Sequence, residues 1–210
     1  MRFFALCLLV FGLFSAASSQ DFYGSTDVKA FRAGRDKEFR NRKESPLKDE
    51  DFATFKGLNY FPVDKKFRVK AFFTLTPSEK YFQMPTLSGG TRKFVKHGIL
   101  KFKLGGAERT LSVYQTDAET LAKYPEYADL LFVPFKDSTS KTETYGGGRY
   151  MDIKLPKQGN TVILDFNVAY NPNCAYGSFK YSCPLPPSEN TLNVAIKAGE
   201  KRFAHSGPEQ

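Results

Sequence analysis

Apolar and polar residues alternate along much of the chain, which is the pattern of half-buried β-strands. Between residues 67 and 75 the apolar positions are separated by Arg68, Lys70 and Thr74. The alternation returns at 100–104 and 111–113, on either side of Gly105-Gly106, a pair that predicts a hairpin turn. Many short strands with turn residues between them predict a mostly β fold, either an antiparallel β-sandwich or a partly closed β-barrel. The remaining predicted strands are 81–85, 93–96, 130–135, 149–155, 161–168 and 191–196.

A different period precedes the strands. Residues 27–43 are rich in Lys, Arg and Glu and carry the apolar residues Val28, Phe31 and Phe39. This pattern predicts a charged helix over about 27–44 with Ser25 or Thr26 as its cap, ending before Ser45-Pro46. We expect this helix to pack on a β domain of about 55–203. Shorter helical segments are predicted at 49–55 and 117–123.

The first 19 residues have the features of a secretory signal peptide. Arg2 gives a positive end, residues 3–14 are a short apolar run, and residues 15–19 are small. We expect cleavage before Gln20, with cleavage after Ala17 as the alternative. The run is too short to cross a membrane, and no later stretch predicts a transmembrane segment in the mature chain. The sequence therefore predicts export to the periplasm or the extracellular space of a bacterium, with residues 20–210 as one domain.

Composition and charge limit the possible partners. A hydrophobic content of 41% in 210 residues is typical of a globular protein. The formal net charge is +9, but the basic residues are spread along the chain and no nucleic-acid-binding module is recognisable. We therefore expect no nucleic-acid partner. The basic surface of an exported protein would meet anionic lipid or glycan, or keep the protein soluble.

The cysteines and histidines bear on disulfide, metal and cofactor chemistry. Cys174 and Cys183 form an even pair in the mature chain, which predicts a disulfide worth roughly 2–3 kcal/mol in an oxidising compartment. The histidines are His97 and His205, and no Cys-x-x-Cys occurs, so no metal site is predicted. Gly146 to Gly148 lack the Lys-Ser/Thr ending of a phosphate-binding loop, and no cofactor is predicted.

Polar residues with a possible binding role concentrate between Glu143 and Glu200. Arg149 shares a strand face with Met151 and Ile153, while Tyr150 and Asp152 take the opposite face. A charge on an apolar face needs an anionic partner. Glu143, Asp165 or a ligand could supply the anion, and the three adjacent glycines either form a turn with positive φ or offer backbone N–H groups to the same anion.

Asp165 and Asn167 lie opposite the apolar face of their predicted strand, so they face either a pocket or solvent. Together with Arg149 and its neighbours they complete the candidate ligand-binding set. Its members are Glu143, Tyr145, Gly147, Arg149, Asp165, Asn167, Tyr170 and Asn171.

Several segments resemble the DUF1684 family of uncharacterised bacterial and archaeal proteins. The two longest are LLFVPFKDSTSKTETYGGGRYMDI (130–153) and LDFNVAYNPNCAYGSFKYSCPLPPSENTL (164–192), and shorter ones lie at 45–47, 55–64 and 196–201. The resemblance implies one domain of this family and leaves its activity open. It implies that the family's motif positions here are Glu143, Tyr145, Gly146 to Arg149, Asp165, Asn167, Tyr170, Asn171, Cys174, Cys183, Pro184, Pro186, Pro187 and Asn190.

Three functions are compatible with these residues. The first hypothesis is an exported, non-catalytic protein that binds a small polar or anionic molecule, or a glycan, in a pocket built from the 143–200 region. The second is a hydrolase that uses Glu143 and Asp165 as paired catalytic carboxylates, with Arg149 holding an anionic group. The third is a structural or partner-binding envelope module, and the sequence does not decide whether the protein is an enzyme.

Overall fold

The computed structural model describes residues 25, 27–154, 158–178 and 180–205. The described chain contains three α-helices and eight β-strands, with short 3-10 turns between several of them. The helices are α1 Val28–Arg40, α2 Asp49–Thr54 and α3 Ala118–Lys123. The strands are β1 Arg68–Leu75, β2 Phe82–Pro85, β3 Thr91–Leu104, β4 Ala107–Thr116, β5 Leu130–Asp137, β6 Arg149–Lys154, β7 Thr161–Asp165 and β8 Thr191–Leu192.

The strands form one curled sheet that resembles half of a barrel. Its order is β6-β5-β4-β3-β1-β7, with β2 added to β3 and β8 added to β5. All pairs are antiparallel except the two-residue pairing of β5 with β8. The prediction of a mostly β fold with a partly closed barrel and an N-terminal helix is confirmed.

The main core fills the concave side of the sheet. Alternation places every second residue of β5 and β6 inside, including Leu131, Val133, Met151 and Ile153. A second, smaller aromatic cluster lies on the opposite side of the sheet, around Met84, Phe94 and Tyr114. The part of the sheet from β3 to β6 is therefore partly buried on both faces. Alternation predicts only the burial of the face that packs in the main core.

Helix α1 packs along one narrow stripe. Phe31, Arg35 and Phe39, spaced four residues apart, are its buried residues. The N-cap is Asp27, whose carboxylate accepts from the Ala30 N–H at 3.0 Å, so the predicted caps Ser25 and Thr26 are one or two residues too early. The Arg32 side chain of α1 donates to the Asn167 carbonyl. This bond places α1 against the turn that follows β7.

Strand β3 is longer than predicted because 93–96 and 100–104 belong to one strand. Its register with β4 shifts between Lys96 and Gly98, and this bulge separates the two stretches of regular alternation. A Cβ at Gly98 would lie 2.3 Å from the Phe73 ring, so only glycine fits at the bulge. Strand β7 is shorter than predicted because the Asp165 carboxylate accepts from Asn167 N–H and favours a 3-10 turn over Phe166–Val168.

The structure bears on membrane crossing only within the residues that it describes. The predicted signal peptide, 1–19, lies outside the described residues and stays a prediction. Within the described ranges, none of the helices combines the length and the apolar character that crossing a bilayer requires.

Candidate functional site

The first candidate, Arg149 at the start of β6, is held in the core by other groups of the protein. Its side chain is 1% exposed, and its guanidinium donates to the carbonyls of Ile196 at 2.9 Å, Glu200 at 3.3 Å and Ala198. The anionic partner is Asp137, 3.3 Å away at the end of β5, and neither Glu143 nor Asp165 fills that role. Burial lowers the pKa of Arg149, and Asp137 opposes this shift. Of its nitrogens only Nε lacks an acceptor among the described residues.

Asp165 and Asn167 join the end of β7 to the segment that precedes β1. One oxygen of Asp165 accepts from the Asn167 backbone and side-chain N–H groups at 3.0 and 2.8 Å. Its other oxygen accepts from Arg68 at 3.0 Å. The Asn167 amide also bonds the backbone N–H and carbonyl of Asp64. Asp165 is buried and borders a narrow cleft between β6 and β7, so it does not face open solvent.

Glu143, Tyr145 and Gly147 lie in the turn before β6. The Glu143 carboxylate is 42% exposed and pairs with Lys197 at 2.9 Å, so it does not converge with Asp165. Tyr145 packs at the edge of the small cluster around Phe39. The Gly148 N–H donates to the Tyr145 carbonyl at 3.1 Å, which makes the three glycines part of a tight turn.

Asn171 belongs to a buried polar network with Glu200. Its backbone and side-chain N–H groups donate to the Glu200 carboxylate at 3.1 and 3.0 Å, and the Tyr176 hydroxyl donates to the same group. Arg35 of α1 lies 3.9 Å from the Glu200 carboxylate. Burial raises the pKa of Glu200, while the charge of Arg35 lowers it. This network ties α1 and the segment after β7 to the C-terminal segment.

Among the residues predicted to bind a ligand, Tyr170 is the one that lines an aromatic pocket in the described part of the chain. This aromatic pocket has a volume of about 370 Å³ and lies on the convex side of the sheet, outside β3 to β6. The segment from Pro172 to Pro184 forms its other wall, and Glu38 of α1 borders it. Its aromatic residues are Phe94, Tyr114, Tyr127, Phe132, Tyr150, Tyr170 and Tyr181.

Asp152 is the carboxylate on the inner wall of the aromatic pocket. It lies opposite Phe132 in the β5–β6 register, and its Oδ2 accepts from the Tyr170 hydroxyl at 2.5 Å. Burial raises the pKa of Asp152 from an ordinary value of 3.8 to about 6, and Tyr170 and Arg35 oppose the rise. A carboxyl that changes charge near pH 6 among aromatic rings is an indicator of a functional site.

The outer wall of the pocket is held by the predicted cysteine pair. Cys174 and Cys183 are joined by a disulfide in the structure. The Leu87 N–H donates to the Cys183 carbonyl at 3.0 Å, and Arg92 of β3 donates to the Ser182 carbonyl at 3.0 Å. These bonds fasten the disulfide-bonded segment to the sheet beside β2, so that it faces the aromatic residues across the pocket.

Sequence reasoning missed most of this site, although it placed Tyr150 and Asp152 together on the face of β6 opposite Arg149. The signal that could have found the pocket is aromatic and polar content on that second face, at Phe132 on β5 and Tyr150 and Asp152 on β6. In the described ranges no group of three His, Cys, Asp or Glu side chains is arranged to hold a metal ion.

Comparison with known proteins agrees with the resemblance in the sequence. A family model described as "Protein of unknown function (DUF1684)" matches residues 53–201. The solution NMR structure of the uncharacterised protein from gene locus rrnAC0354 of Haloarcula marismortui is 36% identical in sequence and has a TM-score of 0.66. The match covers 84% of this chain and 92% of that chain. No curated protein matches.

Proposed function

The chain belongs to the DUF1684 family of proteins of unknown function, and from this premise we propose that it binds a small polar ligand in its aromatic pocket. One observation carries the proposal: the Asp152 carboxylate is placed among aromatic rings in a pocket of about 370 Å³. Small-molecule sites are typically concave and mostly apolar, with a few polar groups that fix the orientation of the ligand.

The position of Asp152 costs the free protein stability. Asp152 is half-buried among aromatic rings, and desolvation there raises the pKa of its carboxyl, so the ionised form is less stable than it is in water. Such a group is commonly retained where a function requires it. The hydrogen bond to Asp152 comes from Tyr170, itself a residue of the pocket. Arg149, Asp165, Asn167 and Asn171 instead bond to groups outside the pocket, so their contacts support a structural role.

The hydrolase alternative has less support from this geometry. It requires the carboxylates of Glu143 and Asp165 to act on one substrate, but Glu143 pairs with Lys197 on the surface and Asp165 with Arg68 beside β7. Binding without catalysis at Asp152 needs no second carboxylate. We therefore retain ligand binding as the proposed function.

Export remains part of the proposal. The signal-peptide features of residues 1–19 support it, and so does the bond between Cys174 and Cys183, because disulfides persist in oxidising compartments. The ligand would then be a molecule of the periplasm or the cell exterior. In that compartment the disulfide would keep the outer wall of the pocket in place.

We expect Asp152→Asn to gain stability relative to the wild type as the pH rises from about 4 to 7. Because the folded protein holds the Asp152 proton up to about pH 6, this group's stabilisation is complete below the unfolded pKa and is lost as the pH rises through the folded pKa. Asparagine does not titrate, so the difference in free energy of unfolding between the variant and the wild type changes with pH. The change is at most about 1.4 kcal/mol per pH unit. Urea denaturation at several pH values measures it.

Asp117→Asn provides a control of opposite sign. The helix N-terminus of α3 lowers the pKa of Asp117 through hydrogen bonds from Thr120 and Glu119. Its contribution to stability is therefore present above the unfolded pKa and is lost as the pH falls. A difference between Asp152→Asn and wild type that stays constant with pH would show that Asp152 titrates normally, and would remove the main support for the site.

Blocking the pocket tests the proposed function itself. Thr116 at the end of β4 lines the aromatic pocket, whereas Thr110 lies on the same strand, is exposed and is outside it. Thr116→Trp fills the pocket and Thr110→Trp adds the same side chain elsewhere. We expect native mass spectrometry of protein isolated from its own cells to detect a bound small molecule on wild type and Thr110→Trp, and to lose it on Thr116→Trp.

The outcomes of this comparison separate binding from misfolding. Circular dichroism establishes that each variant is folded, and if Thr116→Trp is not, Thr120→Trp from α3 takes its place in the same pocket. A ligand-free wild type, or a ligand that stays on the folded blocked variant, contradicts the proposal.

A further inference from the structure

We infer that the ligand of the aromatic pocket carries an alkylated ammonium group. This inference rests on the proposed binding function and adds the chemical class of the ligand. Three features of the pocket support it: the direction of its hydrogen bonds, the placement of its charges, and the angles between its aromatic rings.

The tyrosine hydroxyls of the pocket donate to groups of the protein. Tyr170 donates to Asp152, Tyr150 donates to the Pro184 carbonyl, and Tyr114 donates to Glu189 at 2.7 Å. Each hydroxyl has one proton, so what these three groups offer a ligand is oxygen lone pairs. A ligand that brings a positive charge or its own N–H donors matches this wall, whereas a carboxylate or phosphate would meet acceptors.

The charged side chains around the pocket also favour a positively charged ligand. Asp152 lies on the inner wall, and Glu38 borders the pocket from α1, 3.1 Å from Arg35. Arg35 is 1% exposed and lies behind Tyr170, 5.0 Å from the centre of its ring, so it does not line the pocket. Among the described lining residues the one cation is Arg92, which is exposed and donates to the Ser182 carbonyl. Apart from Arg92, the charged side chains that line the pocket are the carboxylates of Asp152 and Glu38.

Phe132, Tyr150 and Tyr170 are set at steep angles to one another, whereas Phe94 and Phe132 stack at 22° with their ring centres 5.4 Å apart. Phe132 and Tyr150 lie 4.7 Å apart at 78°, and Tyr150 and Tyr170 lie 5.9 Å apart at 89°. Such rings present π faces and edges from several directions, which surrounds a rounded group better than a flat sugar ring that needs one broad platform. A cation on a ring face gains about 0.5–2 kcal/mol, most when it is desolvated. The geometry thus favours an ammonium group over a neutral polyol.

Choline and 3,3-dimethyl-1-butanol are probes that test this inference, because they have the same shape and differ in the positive charge. We expect NMR titration of the full chain at neutral pH to show choline binding at least about tenfold more tightly, which corresponds to about 1.4 kcal/mol. The shifted amides should cluster at Phe132, Tyr150 and Asp152. Asp152→Asn should remove most of the difference, and Thr116→Trp should weaken both probes.

Each other result overturns the inference. Equal affinity for the two probes, or a preference that Asp152→Asn leaves unchanged, shows that the pocket does not select charge. Choline shifts that lie outside the pocket, or no binding of either probe, reject an ammonium ligand. The proposed function is judged separately by the native mass spectrometry of the Thr116→Trp and Thr110→Trp variants, so the two can fail independently.

Discussion

Arg149→Met is expected to lower the free energy of unfolding by about 3–5 kcal/mol. The methionine would leave the Asp137 carboxylate, 1% exposed, without the cation that lies 3.3 Å from it. It would also remove the donors to the carbonyls of Ile196 and Ala198, which hold the C-terminal segment against β6. Breaking a buried ion pair on one side leaves an uncompensated charge, which is why the loss is large.

Chemical denaturation without added ligand measures this effect. Arg40→Met is the matched control, because Arg40 is 52% exposed and its pair with Asp36 should contribute less than about 1 kcal/mol. Combining Arg149→Met with Asp137→Asn should cost less than the sum of the single changes, since neither partner is then left charged and alone. A neutral or stabilising Arg149→Met would instead indicate an arginine that waits for an anionic ligand.

Gly148→Ala is expected to destabilise the protein by about 2–4 kcal/mol. Gly148 has a φ of +95°, and a Cβ there would lie 2.7 Å from the Phe135 carbonyl oxygen and 2.6 Å from the Pro186 ring. Alanine at this position would adopt an unfavourable backbone conformation, and its Cβ would force the turn away from β5. Because Arg149 follows directly, the displacement would also disturb its ion pair with Asp137.

Gly146→Ala is the control within the same triplet. Gly146 lacks a positive φ, and a Cβ there would first meet the flexible Lys141 side chain at 3.1 Å. We expect a loss below about 1 kcal/mol, measured by the same denaturation. Equal losses at the two positions would contradict the conclusion that the positive φ and close contacts of Gly148 require glycine there.

The sheet was largely predictable from alternation because its concave face is a single continuous core. Leu131 and Val133 on β5 and Met151 and Ile153 on β6 follow period two and are all buried. The bulge between Lys96 and Gly98 was not predictable, since it depends on the Phe73 ring of the neighbouring strand. The cap of α1 was missed because Ser, Thr and Asp are all good N-caps and all three occur within residues 25–27.

The candidate site was less predictable because its walls come from distant parts of the chain. Alternation correctly marked Arg149 as a charge in the core, but its partner Asp137 lies on another strand and is set by the β5–β6 register. Asp152 was placed on the second face of β6, where a charged residue usually meets solvent. That it lies in a pocket follows from the disulfide-bonded segment, whose position no local pattern in the sequence specifies.

The central claim, that the aromatic pocket is the functional site, is tested most directly by a crystal structure of the protein purified from its own cells without a denaturing step. We expect non-protein density between Phe132, Tyr150 and Tyr170, with its polar end at the Asp152 carboxylate. Two results would contradict this claim. One is density of a bound molecule outside the pocket. The other is a pocket that holds only water, in protein that native mass spectrometry shows to carry a ligand.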